Sequence, residues 1–152
     1  MKYLFLFAMC FTLISCSDED PEMDFRIWTG PKVQFVKEAG ANPEDEINQD
    51  RISSSVWMTR GNKGGQIFNI LAEESATKEI SPLKTRWALG DVSDVQTLTF
   101  SSFRAAVGSP KSVVGKDLVL HLEDENVYLS VKFTRWDEGQ GGGFGYERSS
   151  SN

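Results

Sequence analysis

The chain has 152 residues, 39% of them apolar and 25% charged, with 22 acidic against 16 basic side chains and a formal net charge of −6. That length suits one domain around one core, and an acidic balance without a basic cluster excludes nucleic acid and anionic lipid headgroups as charge-selected partners. Both cysteines, Cys10 and Cys16, lie in the first sixteen residues, so the domain beyond them is expected to fold without a disulfide, cysteine-ligated zinc or a cysteine nucleophile.

The chain opens with a basic tip at Lys2 and an apolar run from Tyr3 to Ile14, the layout of a secretory signal and too short to cross a bilayer as a helix. Leu13-Ile14-Ser15-Cys16 resembles the lipobox of bacterial lipoproteins. The resemblance implies cleavage before Cys16 and a lipid on its sulfur; the alternative is an ordinary signal peptide in which Cys16 is incidental. Ser17-Asp18-Glu19-Asp20 is similar to the acidic export tag of Bacteroidetes-type surface lipoproteins, and reads equally as a hydrated tether, since 18–24 is acidic, contains Pro21 and cannot bury enough surface to fold. The expected organisation is therefore a signal peptide over 1–15, an acidic tether over 16–24, one domain over 25–149 and a tail over 150–152, anchored at the outer membrane or cell surface. Loss of Lys2 leaves 15 basic against 22 acidic residues, a mature formal charge of −7.

Short alternating or β-branched runs follow at 33–37, 55–60, 66–71, 85–89, 97–100 and 143–148, separated by the turn compositions Gly61-Asn62-Lys63-Gly64-Gly65, Gly90-Asp91 and Gly139 to Gly143. Two helical turns are expected. Asn42-Pro43-Glu44-Asp45-Glu46 offers a cap, a proline at the first helical position and acids in the first turn; Phe100, Phe103 and Val107 have helical spacing, with Ser102 as cap and Gly108 followed by Pro110 as stop. The strongest signal runs from Leu118 to Trp136. Leu118, Leu120 and Leu122 alternate with Val119 and His121, Glu123-Asp124-Glu125-Asn126 makes a turn, and Val127, Leu129, Val131 and Phe133 alternate with Tyr128, Ser130 and Lys132. Pairing across that turn sets Leu122 opposite Val127, Leu120 opposite Leu129 and Leu118 opposite Val131, with both apolar rows on one face and His121 opposite Tyr128 on the other, solvated one. Together these elements predict an all-β, antiparallel β-sandwich, preferably of jelly-roll type.

No catalytic signature stands out. Gly108 to Asp117 fails as a phosphate loop because six residues separate its glycines and Asp117 follows Lys116. The chain has one histidine, His121, and no G-x-S-x-G, against a serine hydrolase; His121 is expected to pack on Tyr128. Paired carboxylates for a small hydrolase are available but uninformative in so acidic a chain. Asp91, Asp94, Asp124, Glu125 and Asn126 could offer oxygens to calcium, though without EF-hand spacing; they are read as turn formers, and neither a metal nor a cofactor is assigned.

Trp28, Trp57, Trp87 and Trp136 supply large apolar surface, with Trp57 and Trp87 expected in the core. Counting by two places Trp136 on the row of Tyr128, beside the glycine-rich loop, so Tyr128, Trp136 and Tyr146 are the candidate ligand-binding residues; the alternative is that they close the end of the sandwich. Trp28-Thr29-Gly30-Pro31, Val56-Trp57-Met58-Thr59-Arg60-Gly61, Trp87-Ala88-Leu89-Gly90 and Gly141-Gly142-Gly143-Phe144-Gly145-Tyr146-Glu147-Arg148 resemble a family of small secreted bacterial domains. That resemblance implies one secreted domain and transfers no residue roles. The expected function is non-catalytic binding of an extracellular ligand, a glycan first. The alternatives are an assembly lipoprotein whose partner is another envelope protein and, more weakly, a carboxylate-dependent hydrolase.

Overall fold

A computed structural model describes residues 25–152; the expected signal peptide, Cys16 and the expected tether lie outside the described residues. Nine strands run in chain order as β1 (Arg26–Trp28), β2 (Gly30–Lys37), β3 (Asp50–Arg51), β4 (Trp57–Arg60), β5 (Ile67–Asn69), β6 (Thr85–Leu89), β7 (Asp117–Leu122), β8 (Val127–Trp136) and β9 (Phe144–Ser150). One short helix, α1 (Phe103–Val107), and single 3-10 turns at Glu46–Asn48, Val92–Asp94 and Pro110–Ser112 complete the set. A large sheet has the order β2-β9-β8-β7-β6, with β1 added in parallel beside the first residues of β8; β3, β4 and β5 form a second, three-stranded sheet. The fold is an all-β sandwich of unequal sheets. Its strands β6 to β9 lie side by side in sequence order, a meander rather than the interleaved Greek keys of a jelly roll.

The β7–β8 hairpin has the predicted register, Leu122 with Val127, Leu120 with Leu129, Leu118 with Val131 and His121 with Tyr128. Its turn closes with Asn126 at φ 49°, the left-handed region that asparagine tolerates. The apolar row meets Ile52, Val56, Met58 and Ile67 from the small sheet and its flanks, while Trp87, Phe103, Val107 and Val113 fill the near end. Trp87 is buried as expected and donates its indole N–H to Thr85 Oγ1 at 3.0 Å. Trp57 departs from expectation: it is half-buried, with the Arg51 guanidinium 4.0 Å from the centroid of its ring.

Two further expectations are corrected. The run 97–100 forms no strand; Ser101 alone bridges to Trp87 through two backbone bonds, and Phe100 instead packs edge-on against His121 and Tyr128. With Phe25 on Tyr128 and Val119 fully buried, the outer face of the hairpin is covered in part rather than solvated. At the chain's end Ser150 belongs to β9 and Asn152 Oδ1 accepts from Thr29 N–H at 2.9 Å. α1 forms where predicted, after Ser102 and before Gly108, whereas the Pro43 turn becomes helical only at Glu46–Asn48.

Candidate functional site

The three candidate aromatic residues do not share a face. Tyr146 is 2% exposed, pairs across the sheet with Phe133 and Phe35, and donates its hydroxyl to Asp50 Oδ2 at 2.7 Å. It is a core residue, withdrawn from any surface platform. Tyr128 is half-buried on the outer face, stacked on His121 with ring centroids 4.2 Å apart and planes 4° from parallel. Trp136 stands on the inner side. The β8–β9 register slips between Phe133 and Arg135, so an extra residue enters β8 and reverses the alternation. After the bulge Trp136 lies opposite Phe144 and packs against Phe103, Phe133 and Phe144. Counting by two carries through a strand only while its ladder is regular.

Trp136 nevertheless borders a surface cleft. A hollow of about 230 Å³ at this end of the sandwich is lined by Arg60, Arg104, Pro110, Lys111, Trp136 and Glu138, among others. The guanidinium of Arg60 lies over the indole, 4.0 Å from its centroid, so one ring face is already covered by a cation. Arg60 is 3% exposed and held by backbone carbonyls: Nε donates to Gly65 at 2.8 Å, and Nη1 to Gly143 at 2.8 Å and Asp137 at 3.1 Å. One arginine at the end of β4 thus ties the glycine turn after it to the loop between β8 and β9.

The glycines serve that closure. At Gly142, with φ 66°, an added Cβ would collide with the Gly61 carbonyl, and at Gly64, with φ 96°, it would come within 2.6 Å of the Gly139 carbonyl. The close backbone approach at these glycines is made by a second loop of the same chain. These two loops form a fixed rim beside the cleft.

Charge is unevenly placed here. Lys37 ends β2 in the inward parity of Phe35, is 0% exposed, and its ammonium has no hydrogen-bond partner among the described residues. Burial, reinforced by the nearby Arg60 charge, lowers its pKa from the ordinary lysine value. Asp137 lies near Arg60 but is bound by Arg135 through two bonds, 2.8 and 2.7 Å, which hold its carboxyl below the usual range. Arg135 also reaches Glu38 at 2.7 Å. Farther along the layer, Asp50 accepts Nε and Nη2 of Arg148 at 2.7 and 2.8 Å as well as the Tyr146 hydroxyl. This buried fork joins β9 of the large sheet to β3 of the small one. Burial, with the Asp50 charge beside it, pushes the Tyr146 phenol well above its ordinary value.

The remaining candidates are spent on structure. His121 Nε2 lies 3.0 Å from Asn126 Oδ1. Asp91 caps the Val92–Asp94 turn through Ser93 N–H, Asp124 pairs with Lys84 at 2.7 Å, and Glu125 accepts from Ser55 Oγ. Glu44, Glu73 and Glu74 line another hollow, of about 630 Å³, but Glu73 accepts from Asn69 N–H, Leu83 N–H and the Ser81 hydroxyl, and so serves as a tie for the loop after β5. Sequence reading missed Arg60, Arg104 and Lys37. Two of them carried a signal: Lys37 follows Phe35, and Arg60 follows Met58, in the inward parity of their strands, where a charged residue is out of place unless something holds it. Arg104, on a five-residue helix, carried none. No family model, curated protein or solved structure matches the chain.

Proposed function

We propose that this chain is a lipid-anchored cell-envelope protein whose single β-sandwich binds an extracellular ligand, a glycan, without acting on it chemically. The observation that supports the binding reading is the Trp136 cleft. A half-buried indole there meets polar side chains from α1, from the Pro110 turn and from the loop after β8, on a rim held rigid by Arg60. A concave site with an apolar wall and a few polar groups is the usual form of a small-ligand site. At about 230 Å³ it is smaller than pockets for drug-sized molecules, which favours a single sugar residue over a long stretch of polymer. The anchor rests on the lipobox resemblance at Cys16.

A glycan array probed with wild type and Trp136→Ala tests the reading, with thermal denaturation confirming that the variant is folded. Binding by wild type and its loss in the folded variant are expected; no glycan bound, or equal binding by both, overturns the proposal. Fractionation of the Cys16→Ala protein tests the anchor, since that protein should leave the membrane fraction. A second reading, an assembly protein that docks on another envelope protein, is favoured by β2. This eight-residue strand is an edge of the large sheet, with Val33 and Val36 38% and 49% exposed.

A further inference from the structure

The Trp136 cleft is basic in an acidic protein. Arg60, Arg104 and Lys111 line it against one carboxylate, Glu138, which pairs with Lys111 at 3.3 Å between exposed side chains. Among the described residues neither Arg60 nor Arg104 has an ion-pair partner: Arg60 is bonded to carbonyls, and Arg104 Nε donates to the neutral Gln66 Oε1 at 3.3 Å. Buried arginines are ordinarily paired. Near Arg60 lies Lys37, fully buried and, among the described residues, without a hydrogen-bond acceptor. Four cations, three lining the cleft and Lys37 near Arg60, therefore share one end of the sandwich, and Asp137, the acid whose charge acts on Arg60, is held by Arg135.

We infer that the ligand of this cleft carries a carboxylate, as in a terminal uronate residue, seated between Arg60, Arg104 and Lys111. This rests on the proposed glycan-binding reading and narrows it. An arginine fork matches a planar carboxylate in geometry as well as charge; Arg104, bonded among the described residues through Nε alone, supplies it, while Arg60, whose Nε and Nη1 already donate to carbonyls, adds charge and Nη2. The cation already over Trp136 explains why charge, rather than stacking on an open ring face, would select the sugar. The mature charge of −7 repels a polyanion at long range, while a single acidic residue inside the cleft feels chiefly the local cations.

The test is calorimetric titration at 0.15 M salt with a galacturonate trisaccharide, its methyl ester and the corresponding neutral galactose trisaccharide. The acid should bind at least about tenfold more tightly than the ester, the increment of roughly one charge-assisted hydrogen bond. Arg104→Gln and Lys111→Gln should each reduce that preference, and Glu138→Gln should raise it by freeing Lys111. Arg86→Gln removes the same charge from an exposed pair with Glu123 elsewhere and should leave the preference intact. Equal binding of acid and neutral sugar overturns the inference and leaves the glycan reading standing, as does an equal loss of preference in Arg86→Gln, which would assign it to overall charge. Failure of every sugar here and on the array overturns the glycan reading beneath it.

Discussion

The layer between the two sheets has two halves built on different physics. Under β7 and β8 it is apolar: Leu118, Leu120, Leu122, Val127, Leu129 and Val131 are all at most 2% exposed and meet Val56, Met58 and Ile67 without a polar atom among these side chains. Toward β2, β3 and the far end of β9 the same layer holds Lys37, Asp50, Arg60, Arg148 and the Tyr146 hydroxyl. The apolar half tolerates no loss of volume, but its groups need no particular partner. In the polar half Asp50, Arg148, Tyr146 and Arg60 each depend on a partner far away in sequence, and Lys37 lacks one. The difference shows where a small disulfide-free sandwich spends specificity: volume sets the hairpin side, and directional bonds set how the small sheet is oriented on the large one.

The largest effect is expected where that orientation is fixed. Asp50→Ala strands the Arg148 guanidinium and the Tyr146 hydroxyl inside the layer, and loss of one partner of a buried pair costs about 3–5 kcal/mol. Chemical denaturation of the variant checks this; a cost under about 1 kcal/mol would place the fork among solvated pairs. Leu120→Ala and Leu129→Ala sample the apolar half and should each cost about 2–5 kcal/mol. Those two residues face each other, so the double variant should depart from additivity in a mutant cycle.

Lys37→Met should move stability the other way, gaining about 1–3 kcal/mol, because it removes a desolvated charge and keeps the volume. The pH dependence gives the sign independently. The folded pKa of Lys37 lies below the ordinary lysine value, so unfolding takes up a proton between the two values and stability rises with pH there. The deficit of wild type against Lys37→Met should be complete below the folded value and close as pH approaches the ordinary one. Parallel denaturation curves at neutral and alkaline pH measure it. A gap that stays constant with pH would mean that the ammonium is solvated after all. His121→Ala, on the partly covered outer face, should cost only about 1 kcal/mol, the value of an aromatic stack. A loss as large as that of the leucines would mean that the cover from Phe25 and Phe100 amounts to a second core.

By itself the sequence determined the hairpin and its register, α1 with its boundary glycine and the all-β class, because each follows from neighbours in sequence: a period of two, a polar turn, a stop at Gly108. Tertiary structure decided the rest. The bulge before Trp136 arises from the pairing of β8 with β9, and one inserted residue moves an indole from the outer face to the inner one. In sequence Gly142 and Gly64 read as turn formers, yet each carries a left-handed φ and a close approach to the other loop. The cleft combines Arg60 from β4, Arg104 from α1 and Lys111 from the turn after it. Arg60 lies more than forty residues from the other two; such a separation leaves no periodic trace, and whether the charges meet is settled only when the two sheets close over a common core.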